Sequence, residues 1–116
     1  MKDEPLATIS FSEVYNLFRL GEIRAVIEEC LVKHGMPKVK TLSSQETVVL
    51  NASGEKLSMR ITLREETIGK ERSGFFQGQP RVKVEVVASS SEKGNLKESI
   101  DRFRYCVLIR TSRGGG

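Results

Sequence analysis

Between residues 52 and 111 apolar and polar residues alternate with few interruptions. Leu57, Met59, Ile61 and Leu63 interleave with Ser58, Arg60, Thr62 and Arg64, and Val82, Val84 and Val86 with Arg81, Lys83 and Glu85. Further on, Phe103, Tyr105, Val107 and Ile109 interleave with Arg102, Arg104, Cys106, Leu108 and Arg110. A period of two sends successive side chains to opposite faces of a sheet, so the pattern predicts one apolar and one basic face. Strands are expected at about 46–51, 56–67, 81–88 and 100–111. Residues 52–55, Ala-Ser-Gly-Glu, form a short turn that makes the first two strands a hairpin. The connections at 68–79 and 89–99 are long and rich in Gly, Ser and charge.

The first third follows a different period. Ser10 and Glu13 have the spacing of a capping box, which would open a helix there. Val14, Leu17, Phe18 and Gly21 share one side of that helix. Leu20, Ile23, Ile27, Cys30, Leu31 and His34 form a second, offset stripe, so a bend or break is expected near Gly21. Gly35 can close the helix in the left-handed conformation and Pro37 forbids its continuation, which ends it at His34. The expected fold is therefore α+β: an N-terminal helix packed on one face of a four-stranded antiparallel meander. Residues 1–9 precede it and could add a short strand, 10–111 form a single domain, and 112–116 read as a flexible Gly-rich tail.

Composition narrows the class. A chain of 116 residues with 38% hydrophobic and 29% charged residues has enough apolar material for a core without metal or disulfides. No apolar run approaches the roughly 20 residues of a membrane helix. Cys30 and Cys106 lie far apart in unlike contexts, and no signal-peptide pattern opens the chain, so a reduced, intracellular, cytoplasmic location is expected. The Asn51-Ala52-Ser53 glycosylation triplet reads as accidental in that setting. The net charge of +4 is uneven: residues 1–57 carry seven basic and eight acidic side chains, residues 58–116 twelve and seven. A positive excess confined to the strand-rich half points toward a polyanionic partner, although Lys and Arg also protect sheets from edge pairing.

Catalytic arrangements fail by elimination. The single histidine, His34, sits at the expected helix end, where a cap is its simplest role. One histidine and two cysteines cannot complete a four-ligand zinc site. Both cysteines read as small buried hydrophobes. Glu28-Glu29 and Glu65-Glu66 are adjacent pairs whose side chains must diverge, so neither forms a two-carboxylate site. Residues 74–78 lack the Gly-Lys-Ser/Thr ending of a phosphate loop. No enzyme, cofactor or small-molecule substrate is expected.

What remains is basic and aromatic. Arg60, Arg64, Arg81, Lys83, Arg102, Arg104 and Arg110 would project from neighbouring strands beside a loop carrying Lys70, Arg72, Phe75 and Phe76. Guanidinium groups grip phosphates bidentately and phenylalanine stacks on unpaired bases, so the set suits RNA or single strands. Its structural alternative is cross-strand pairing, with Glu66, Glu85 and Asp101 neutralising arginines and one phenylalanine anchoring the loop. A meander without slip would set Arg64 directly opposite Lys83. Val49, Val87, Cys106 and Leu108 fall on the same side as the arginines, an apolar patch that would suit self-association or a protein partner. An adaptor, chaperone-like module or assembly subunit using that patch and the Phe75-Phe76 loop is the competing reading.

Overall fold

The computed structural model describes residues 7–44, 46–68, 79–90 and 96–112. Its elements run β1 (Ala7–Asn16), α1 (Leu20–Lys33), β2 (Lys38–Ser43), β3 (Thr47–Ser53), β4 (Leu57–Ile68), β5 (Gln79–Ser90) and α2 (Leu96–Thr111). The fold is α+β, with two helices on a five-stranded antiparallel sheet of order β1-β5-β4-β3-β2. Strands β2 to β5 form a meander. β1 lies beyond β5, so α1 carries the chain from one edge of the sheet to the other.

Besides the unexpected strand β2, two assignments differ from the sequence expectation. Residues 10–16 are strand rather than helix: Ala7, Ile9, Phe11, Glu13 and Tyr15 face inward while Thr8, Ser10, Ser12, Val14 and Asn16 are exposed. That alternation, in a segment rich in Ser, Thr and aromatic residues, outweighs the Ser10/Glu13 spacing. The helix begins at Leu20, and its first donors are met by other acids. Glu22 Oε1 accepts the Arg19 N–H at 2.7 Å, and Glu65 Oε1, from β4, accepts the Leu20 N–H at 2.7 Å. The break anticipated near Gly21 is thus a strand-to-helix turn, in which Leu17 takes φ 68°, a conformation costly for a branched side chain. The α1 terminus matches the sequence reading, with His34 as its cap and Gly35 at φ 91°.

The second correction concerns residues 100–111, expected as a fourth strand and observed as most of α2. Leu96, Ile100, Phe103 and Val107 are buried at steps of four, three and four, the period of a helix, whereas Tyr105 and Ile109 of the supposed inner face are exposed. Exposed i, i+4 pairs, Lys97 to Asp101 at 3.3 Å and Glu98 to Arg102 at 3.0 Å, support the helix from its solvent side.

Both helices lie on one sheet face. Ile23, Ile27 and Leu31 of α1 and Ile100, Phe103 and Val107 of α2 join Leu50, Ile61, Leu63, Val82, Val84 and Val86 of the sheet in one core. The helices are also joined covalently. Cys30 and Cys106 form a disulfide across 76 residues of sequence, with Cα atoms 6.0 Å apart. They are therefore not separate small hydrophobes. The expectation of a reducing compartment, which rested on unpaired thiols, loses that ground. Among the described residues no helix is long and apolar enough to cross a membrane.

Candidate polyanion-binding face

With both helices on one side, the other side of the sheet has no covering element among the described residues, and the strand registers order its side chains in rows. One row reads Lys40, Asn51, Arg60, Val87 and Ser10 across the five strands. The row beside it reads Lys38, Ser53, Ser58, Ser89 and Thr8. On the other flank lie Leu42, Val49, Thr62, Glu85 and Ser12, then Thr47, Arg64, Lys83 and Val14, then Glu66, Arg81 and Asn16. Among the described residues six cations thus share the face with two carboxylates, Glu66 and Glu85, an excess equal to the net charge of +4 for the entire chain.

The cations fall into two groups. Arg64 stands directly across from Lys83, the juxtaposition that an unslipped meander requires. Glu66 offsets the repulsion, accepting from Arg81 Nη2 at 2.6 Å and lying 3.9 Å from Lys83 Nζ. The Arg81 hydrogen bond, assisted by the charges of Lys83, Arg81 and Arg64, holds the Glu66 carboxyl below its usual range. At the opposite end Lys38, Lys40 and Arg60 make no ion pair among the described residues. They rim a shallow concavity of about 750 Å3 with Asn51, Ser53, Ser58 and Ser89.

Several expected site residues lie elsewhere. Arg102, Arg104 and Arg110 are on α2, behind the sheet, and each is engaged: Arg102 with Glu98, Arg104 with Glu13, and Arg110 with Glu29 at 2.6 Å. The Arg104 guanidinium also stacks 4.4 Å from the Phe11 ring centroid. Placing residues 100–111 in a strand is what put these arginines on the wrong layer. The same error grouped Cys106 and Leu108 with Val49 and Val87. Only the two valines are on the open face, accompanied there by exposed Val14 and Leu42. Lys70, Arg72, Phe75 and Phe76 lie outside the described residues. Of the acids expected to neutralise arginines, Glu66 does so, whereas Asp101 pairs with Lys97.

Lys38 and Lys40 were missed because the Lys-Val-Lys-Thr-Leu-Ser of residues 38–43 does not alternate: Val39 and Leu42 are three apart and fall on opposite faces. The Val, Thr and Leu within it, directly after Pro37, were the available signal. The adjacent glutamates diverge as the spacing requires: Glu65 turns toward the start of α1 and Glu66 toward the open face. Among the described residues no cluster of three His, Cys, Asp or Glu side chains could hold a metal ion.

A second concavity, of about 490 Å3, lies between α2 and the β1 edge. Phe11, Tyr15, Val84, Val86, Phe103 and Val107 supply its apolar lining. Its polar groups are largely spent on one another, since Glu13 and Arg104 pair beside it. Burial, followed by the charge of Glu13, pushes the Tyr15 phenol up to about 12. Comparison with protein-family models finds no match to this chain, and comparison with curated protein sequences finds none.

Proposed function

We propose that the protein is a non-catalytic module that binds single-stranded nucleic acid, RNA above all, across its open sheet face. The observation that carries this reading is the segregation of charge: among the described residues a positive excess of four, equal to the net charge of the sequence, is displayed on the face that no helix covers. Phosphates supply the matching charge, and guanidinium and ammonium groups at two ends of the face supply two points of contact. Between them Val49, Val87 and Leu42 offer apolar surface that an unpaired base can cover and a duplex cannot reach.

Binding to single strands should weaken with salt by about 0.7 in log–log slope for each phosphate neutralised. Lys38, Lys40, Arg60 and Arg64 lack ion pairs among the described residues, so a slope of about −3 is expected. Fluorescence anisotropy with a labelled single-stranded RNA between ~50 and ~200 mM salt measures it. Arg60→Ala with Arg64→Ala should flatten the slope by about half, while Arg102→Ala, on the far layer, should leave it unchanged. Lack of binding at ~50 mM salt refutes the reading. Equal losses from the Arg102 and Arg60/Arg64 variants do so too.

A protein partner is the second reading, favoured by the β1 edge. Its ten residues pair with β5 on one side only, and α2 displays exposed Tyr105, Leu108 and Ile109 on the helical layer. A partner adding a strand there would use main-chain hydrogen bonds for affinity and the helix for side-chain contact. Tyr105→Ser with Leu108→Ser should then abolish partner capture while Arg60→Ala spares it.

A further inference from the structure

The Lys38–Lys40–Arg60 corner is more demanding electrostatically than an ordinary backbone contact. At the opposite end of the face, Arg81 and Lys83 have Glu66 between them. Here three cations have no carboxylate partner among the described residues, and they surround one concavity. The registers set Lys40, Asn51 and Arg60 side by side on β2, β3 and β4. Strand spacing places the Lys40 and Arg60 backbones about 10 Å apart and Lys38 about 7 Å from Lys40. Long side chains from those points line one concavity with Asn51, and the Ser53 and Ser58 hydroxyls on the same lining are further donors.

An internal phosphodiester brings one negative charge and would leave most of this corner unneutralised. A terminal phosphomonoester brings about 1.5 to 2 negative charges at pH 7 and three strong acceptor oxygens. We propose that this corner is a receptor for the terminal phosphomonoester of a single strand, so that the sheet grips a strand by its end and the Arg64 side holds an internal phosphate. The inference rests on the nucleic-acid reading above and adds an end preference to it. Along β4, Arg60 and Arg64 are four residues apart, about 13 Å, which gives the end and the internal phosphate separate seats.

The test uses one short RNA in three forms, with a 5′-phosphate, with a 3′-phosphate, and with hydroxyls at both ends, compared at fixed ionic strength. One phosphorylated form should bind about tenfold more tightly than the dihydroxyl form, as two charge-assisted hydrogen bonds allow. Arg60→Gln should erase that preference and Arg64→Gln should retain it while weakening all three forms alike. The preference should also shrink between pH 7.5 and pH 5.5, across the second ionisation of the monoester near pH 6. Equal affinity of the three forms overturns the end receptor and leaves the nucleic-acid reading standing. Failure of every form to bind overturns both. A preference that survives Arg60→Gln, or binding only to vesicles containing a phosphoinositide, overturns the assignment of this corner to a strand terminus. Unchanged thermal unfolding of each variant keeps loss of fold out of the comparison.

Discussion

Reduction of the Cys30–Cys106 bond is the most informative perturbation of the fold. The bond closes a segment of 76 residues and ties α1 to α2 over the core. Loop-closure entropy for a ring of that length amounts to about 15 cal/mol/K, or about 4.5 kcal/mol at 25 °C. A domain of this size has a total stability of about 5–15 kcal/mol, so the bond is a major fraction of it. An unfolding entropy of about 2.1 cal/mol/K per residue gives about 0.24 kcal/mol/K for the chain, and the melting point should fall by about 18 °C on reduction. Differential scanning calorimetry with and without a reductant measures this, and alkylation with mass spectrometry counts thiols before and after. Two free thiols in protein purified without reductant would refute the pairing. Paired thiols with a shift under about 3 °C would refute the entropic argument, since loop closure would then contribute less than about 1 kcal/mol.

Three further outcomes follow from local geometry. Glu66 is held below its usual carboxyl range, so its contribution to stability is complete above about pH 4.5 and is lost as pH falls through its folded value. Glu66→Gln should remove that acid-limb dependence in pH-dependent chemical denaturation. It should also make stability rise with salt, because Arg64 and Lys83 then face each other without an intervening carboxylate. A Cβ at Gly54 would overlap the Gly35 carbonyl oxygen, whereas one at Gly21 meets nothing, so urea denaturation should show opposite signs. Gly54→Ala should cost about 1–3 kcal/mol, while Gly21→Ala in α1 should gain about 0.5 kcal/mol. Tyr15 should ionise near pH 12, read as the ultraviolet tyrosinate step that disappears in Tyr15→Phe. Its raised value favours the fold below pH 10 and that contribution is lost between pH 10 and about 12.

The inner face of the meander was legible in the sequence because alternation there had only one solution. Ile61 and Leu63 on β4 and Val84 and Val86 on β5 repeat every second residue and are buried as that period demands. The same pattern set which residues of β4 and β5 share a face but not their register, since the connection at 68–79 is long; the unslipped pairing of Arg64 with Lys83 is what the structure adds. Residues 100–111 were ambiguous because Phe103 and Val107 satisfy both periods. Ile100 to Phe103, a step of three, decides for the helix, and only tertiary packing shows which residues are covered. β1 was lost for the converse reason: four residues with a capping-box spacing outweighed a ten-residue alternation of modest hydrophobicity. The candidate site was half legible. Arg60, Arg64, Arg81 and Lys83 were assigned to the open face on strand parity alone, whereas Lys38 and Lys40 sit on β2, where Thr41 before Leu42 breaks the alternation and only Val39 is partly buried.

The placement of β1 has a consequence for synthesis. Every residue of this strand pairs with one at least 65 positions later, from Asn16 with Arg81 to Ala7 with Ser90. During translation the meander of β2 to β5 can assemble hairpin by hairpin, but the N-terminal strand has no neighbour until β5 has left the ribosome. Pairings of that sequence separation are slow to close. Of the described strands the first to be made is therefore the last to be seated, and until then the edge of β5 stands open as a template for other chains.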